Sequence, residues 1–231
     1  TGAVTATIAL DDTALKAGES ANVTITFSAP VKGFGNEDLI VQNGQLSPVS
    51  STDGGKTWKA VFTPQSNFEF GTNVIKLQPG YTDLAGNAGS FAVSPNFVVD
   101  TLPPPPPYLV FAQDGNGFTA SAGAQLQINV GGATGQRQLS EQEIADSFVR
   151  STANGLTTYV VKPGVLQGVE RVVLVATATD PAGNINSTTI TANVGSGGGG
   201  GTGGGTGGGG GATGAVTATI ALDDTALKAG E

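Results

Sequence analysis

Two six-residue stretches, TDLAGN at 82–87 and TDPAGN at 179–184, hold the residue types in this chain best suited to chemistry. In each, an aspartate stands four residues before an asparagine, with a glycine just ahead of the asparagine. The pattern has two physical uses. At the head of a tight turn the carboxylate accepts backbone N–H bonds, while glycine takes the positive φ and asparagine tolerates the left-handed region. Alternatively, Asp83 with Asn87 and Asp180 with Asn184 offer hard oxygens to Ca²⁺. Asp11, Asp12, Asp100 and Asp114 fall near the ends of predicted segments, where they could add to such a site. Calcium takes about six to eight oxygens, so either cluster needs carbonyls and water to complete a shell. The spacing matches neither an EF-hand loop nor a calcium-binding nonapeptide repeat.

Cysteine, histidine and methionine are absent from all 231 residues. This excludes disulfides and the soft-ligand sites of zinc, copper and iron–sulfur clusters. It also removes the side chains that carry most nucleophilic and general-base catalysis. The expectation is a protein that is not an enzyme and requires no cofactor, Ca²⁺ being the ion its oxygens suit. A formal charge of −8 with only ten basic residues, scattered along the chain, points away from nucleic acid and anionic membranes, since phosphate binding needs clustered Lys and Arg. No apolar run is long enough to span a bilayer. The sequence opens at Thr1 rather than at methionine, so a processed product or a window on a longer protein is expected.

The elements that must position these residues are strands. Apolar residues seldom recur at the three-four spacing of a helix. Alternation instead marks VTATIAL (4–10), ANVTITF (21–27), DLIVQNG (38–44), TWKAVFT (57–63), TNVIKLQ (72–78) and SFAVSPNFVVD (90–100). Turn-rich LKAGES, PVKGFGNE, STDGGK, PQSNFEFG and TDLAGN separate them. That rhythm predicts a β-sandwich over 1–101. Five prolines within 102–107 predict a stiff polyproline II linker. A second strand-rich segment follows over 108–194. Within it LSEQEIADSFVR (139–150) predicts one short helix, with Ser140 and Glu143 at capping-box spacing and Ile144 and Phe148 on one face. Residues 195–212 are nearly all glycine and read as a flexible linker. Trp58, the only tryptophan, reads as a core or strand-edge aromatic.

The first nineteen residues, TGAVTATIALDDTALKAGE, return letter for letter at 213–231, a period of 212 residues. Val4, Ala6, Ile8 and Leu10 alternate, so one face of this strand must be buried, and the copy repeats them as Val216, Ala218, Ile220 and Leu222. A strand and half a turn bury too little alone. The copy is therefore expected either to begin a further repeat or to add to a sheet of a neighbouring molecule at the place that residues 4–10 fill.

The order DTALKAGESANVTITFSAPVKGF, EDLIVQNGQLSPV, STDGGKTWKAVFTP, YTDLAGNAG, FVVDT closely resembles the bacterial immunoglobulin-like repeats of large secreted surface adhesins. The likeness covers almost all of 1–101, whereas 108–194 shares only ATDPAGNINSTT and a strand-rich texture. The resemblance implies an all-β chain: two tandem immunoglobulin-like β-sandwich domains, the second with one short helix, then a Gly-rich linker and the first strand of a further repeat. It implies a place on the bacterial cell surface, extracellular, as a building block. The expected function is a structural repeat unit of a long surface protein or fibre, serving as stalk, adhesin or filament. The alternatives are a non-covalent filament subunit that assembles through strand addition by 213–231, and a glycan- or host-binding module. Expected partners are neighbouring copies of itself and, under the last reading, a host or matrix glycan.

Overall fold

Strand β3 (Ala21–Phe27) shows how this sequence folds: Ala21, Val23, Ile25 and Phe27 are buried, while Asn22 and Thr26 between them are exposed. A period of two puts alternate residues on opposite faces of a sheet, and here one face is apolar. The computed structural model describes residues 2–132 and 135–195 and the backbone of 216–221. The chain divides into two units, Thr1–Pro103 with Asp180–Asn184, and Pro104–Thr179 with Ile185–Glu231.

Around β3 the first unit carries β1 (Ala6–Leu10), β2 (Ala14–Lys16), β4 (Val31–Lys32), β5 (Leu39–Ile40), β6 (Gly44–Leu46), β7 (Ser50–Ser51) and β8 (Thr57–Pro64). It continues with β9 (Glu69–Asn73), β10 (Lys76–Leu77), β11 (Thr82–Asp83), β12 (Ala92–Val93) and β13 (Phe97–Asp100). One sheet runs β1-β3-β8-β6, with β7 also on β8. The others run β2-β13-β9, β12-β10-β5 and β11-β4. Ile8, Val23, Ile25 and Phe62 from the first sheet pack with Leu15, Leu77, Phe97 and Val99 from the others, and with Ile75 between β9 and β10, in one core. This is a β-sandwich. Phe62 and Phe97 meet edge to face at 5.0 Å, and Phe27 meets Tyr81 the same way at 4.9 Å. Such pairs add about 0.5–1.5 kcal/mol to burial of roughly 1.5–3 kcal/mol per large apolar side chain.

The second unit carries β14 (Leu109–Phe111), β15 (Gly117–Ser121), β16 (Gln125–Gly132), β17 (Gly135–Gln138), α1 (Glu141–Ser147), β18 (Phe148–Ala153), β19 (Leu156–Val161), β20 (Arg171–Thr179) and β21 (Ile185–Gly195). Its sheets run β14-β15-β19-β18 and β17-β16-β20-β21. Leu109, Phe118 and Phe148 from one sheet share a core with Ile128, Leu174 and Ile190 from the other. A last strand, β22 (Val216–Ala221), lies parallel to β21, with Ile190 opposite Val216 and Val194 opposite Ile220.

Several expectations change. The helix predicted over 139–150 spans only Glu141–Ser147. The capping box forms, but Phe148 turns to extended geometry and starts β18, because its ring packs against Phe118 and Tyr159 in the sheet core. The strand predicted over 38–44 is broken. Asn43 takes a positive φ of 59° and carries the chain from β5 to β6 in a different sheet. LKAGES, read as a turn, begins inside β2, which takes in Leu15 and Lys16. The Pro104 and Pro107 carbonyls accept bonds from Asn186 Nδ2 at 3.0 Å and Thr188 Oγ1 at 2.6 Å. Residues 216–221, within the copied stretch, pair with β21, whose edge would otherwise leave a row of backbone groups unpaired. The glycine tract from 196 to 212 and Leu222 lie outside the described residues.

Candidate functional site

The site that the sequence singles out is the stretch 4–19, and in the first unit it forms a continuous seam. β1 pairs antiparallel with β3 from Ala6 opposite Phe27 to Leu10 opposite Val23. Ahead of it, Val4 N donates to Ala88 O at 2.9 Å, and Val4 O accepts from Ser90 N at 2.9 Å and Ser90 Oγ at 2.8 Å. Val4 and Ile8 are 2% and 4% exposed, with Ala6 and Leu10 half-buried against the same core. The Asp11–Asp12 pair then turns the chain. Asp11 accepts from Asn22 N at 2.7 Å and Asn22 Nδ2 at 2.6 Å, and Asp12 Oδ1 accepts from Ala14 N at 2.9 Å. β2 follows, parallel to β13, with Ala14 opposite Val98, Leu15 opposite Val99 and Lys16 opposite Asp100. Val98 N donates to Thr13 O at 2.8 Å, and Leu15 is 1% exposed.

The two TDxAGN motifs adopt one geometry. In the first, Asp83 accepts from Asn87 N at 2.8 Å and Asn87 Nδ2 at 2.6 Å, and Gly86 N closes on Asp83 O at a φ of 85°. In the second, Asp180 accepts from Gly183 N at 2.8 Å, Asn184 N at 2.9 Å and Asn184 Nδ2 at 2.9 Å, with Gly183 at 92°. Both aspartates thus serve as turn acceptors. Asn184, 4% exposed, also donates from Nδ2 to Asp100 O at 2.9 Å, while its Oδ1 accepts from Ala17 N at 2.9 Å. Sequence reasoning did not find this hub, since its partners lie more than eighty residues away. Asp114 Oδ1 accepts from Asn116 N at 3.0 Å. Of the eight candidate calcium ligands, Asp100, Asp180 and Asn184 meet through the Asn184 amide, while Asp11 with Asp12, Asp83 with Asn87, and Asp114 each serve their own turn. Among the described residues no three acidic side chains come together as a cation site. Trp58 packs edge-on to Phe34 at 5.1 Å and donates from Nε1 to Gly55 O.

These turn carboxylates should make the first unit sensitive to acid. The Asn22 side chain holds Asp11 below its ordinary value, and the Asn87 side chain does the same for Asp83. Burial opposes ionisation of Asp180, but the bonds from Asn184 and Gly183 lower it on balance. Asp53, in the STDGGK turn, is held down to about 2, chiefly by the Thr57 backbone N–H. A depressed carboxylate stabilises the fold above its unfolded value, about 3.9, and that contribution is lost as pH falls through the folded value. The urea midpoint of the first unit, read from Trp58 emission, should fall between about pH 4 and about pH 2. Asp53→Asn should lower the midpoint at neutral pH and converge with the parent near the acid end. Parallel profiles for the two proteins would remove Asp53 from the account.

Fold and seam together define an immunoglobulin-like β-sandwich module in which the second strand, β2, lies beside the last, β13. Residues 1–99 match the family model described as bacterial Ig-like domain. Among solved structures the chain is similar to the adhesin InvE of Yersinia pseudotuberculosis, at 16% identity and a TM-score of 0.30, over 80% of this chain and 58% of that one. It is also similar to the titin domains z1z2 in complex with telethonin, at 14% identity and a TM-score of 0.29, over 82% of this chain and 95% of that one. This chain therefore spans less than two thirds of the adhesin chain. No curated protein matches it.

Proposed function

We propose that this chain is a structural repeat unit of a long bacterial extracellular surface protein, a stalk element that carries tension. The observation that carries the reading is the parallel pairing of β2 with β13. Force that draws the start of β2 one way and the end of β13 the other slides two parallel strands along their length. Their hydrogen bonds are then loaded together, with Leu15 and Val99 buried beside them, instead of one after another as in peeling. The family of residues 1–99 supports the surface setting. The copy of residues 1–19 at 213–231 supports repetition, because that stretch is what builds one side of the seam.

Single-molecule pulling tests it. Attachment at Thr13 and Leu102 loads the seam in shear, whereas attachment at Glu19 and Leu102 opens it from one end. At a matched loading rate the first geometry should require clearly more force, since forced unfolding follows the unfolding barrier along the direction pulled. Equal forces in both geometries would reject a tension-bearing role.

A further inference from the structure

We propose that residues 213–231 of one chain occupy the place of β1 and β2 in the first unit of a second copy of this chain, linking copies without a covalent bond. The inference goes beyond the tension-bearing reading and stands without it.

The seam is a slot with two sides. The receiving side is fixed by residues outside 1–19: the β3 edge, Ala88 and Ser90, Asn22, and β13. The donated side uses Val4, Ile8 and Leu15 as buried anchors. Its polar groups are Val4 N and O, the Asp11 carboxylate, Thr13 O and Ala17 N. Every one of these donated groups lies within residues 4–17, and the stretch 216–229 repeats those residues without a change. A second occupant thus needs no adaptation of the slot, since it brings the same side chains in the same order. Strand addition gives main-chain hydrogen bonds along the edge, and anchors at alternate positions set the register.

The glycine-rich stretch 195–212 allows the copy to reach away from its own chain. Its eighteen residues extend to about 60 Å. Within one chain the copy has another berth, because 216–221 lie parallel to β21 while the slot runs antiparallel to β3. Residues 1–19 and 213–231 therefore compete for one slot, and weakening the first should favour the second.

The full chain provides the test, with Trp58 as a reporter confined to the first unit. Ile8→Asp places a carboxylate in the core from the resident strand and leaves Ile220 intact. This variant should form oligomers that grow with concentration in light scattering, with Trp58 emission kept close to that of the parent. Excess synthetic peptide of residues 213–231 should disperse them to monomers without loss of that emission. The double variant Ile8→Asp/Ile220→Asp should form no such oligomers and should shift the emission of the half-buried Trp58 toward that of the unfolded chain. The proposal is overturned if Ile8→Asp stays monomeric, whether Trp58 is exposed, so that the copy does not fit, or buried, so that the copy closes on its own chain. It is equally overturned if the oligomers survive excess peptide or appear in the double variant.

Discussion

Leu15→Ala is expected to cost the first unit about 2–5 kcal/mol, the range for removing a buried leucine side chain to the β-carbon. The residue is 1% exposed and belongs to the main core, yet β2 is only three residues long. No neighbouring anchor on the same strand shares its load, since Ala14 is exposed and Lys16 is only half-buried. A sandwich of this size holds roughly 5–15 kcal/mol in total, so the loss is a large fraction of what keeps it folded. The urea midpoint followed by Trp58 emission should drop accordingly. The shear force measured through Thr13 and Leu102 should fall as well, because β2 then reaches β13 by backbone bonds alone. A midpoint unchanged by Leu15→Ala would mean that β2 is not docked, and the seam would lose its mechanical meaning with it.

The same strand marks the limit of what the amino-acid order reveals. β3 and β8 are readable because Val23, Ile25 and Phe27, or Ala60 and Phe62, alternate with polar residues over enough length to set a period. β2 presents a single apolar side chain, Leu15, inside a stretch rich in turn formers, and its partner lies over eighty residues away at Val98–Asp100 in a parallel pairing that no local pattern encodes. The burial of Val4 and Ile8 follows from alternation alone, but the direction of the strands at the seam does not. The capping box at Ser140 and Glu143 locates the helix start correctly. Its end is hidden because Phe148 satisfies helical spacing and strand packing equally well, and only the rings of Phe118 and Tyr159 decide between them. In the TDxAGN motifs, aspartate, glycine and asparagine prefer turn geometry in any context, and the turn is what forms. The reach of Asn184 to Ala17 and Asp100 depends on where distant chain segments fall.

Asn73→Ala is the second large effect expected, and it acts through polar groups. β9 and β13 change register between Phe97 and Val99, so that Asn73 faces Phe97 while Phe70 faces Val99. A bulge of this kind leaves ladder groups without strand partners. Asn73, fully buried, fills the gap. Its Nδ2 donates to Phe70 O at 2.8 Å and to Phe97 O at 3.1 Å, and its Oδ1 accepts from Asn43 Nδ2 at 2.8 Å. Truncation strands two carbonyls and an amide at once. With about 1–3 kcal/mol for each buried group left unpaired, a total of roughly 2–5 kcal/mol follows after partial relaxation. Asn73→Asp separates loss of shape from loss of donors. It keeps the size and the acceptor for Asn43, but it turns a carboxylate oxygen toward two carbonyl oxygens. Burial and those dipoles raise the folded pKa of the introduced carboxylate above its unfolded value. Its penalty is then full at neutral pH and shrinks as pH falls through the folded value, because the protonated form regains one donor. The midpoint gap between Asn73→Asp and the parent should therefore narrow on acidification, whereas the gap for Asn73→Ala should not change by this mechanism. If the two gaps run parallel with pH, the amide's donors are not what holds the bulge, and the loss belongs to packing instead.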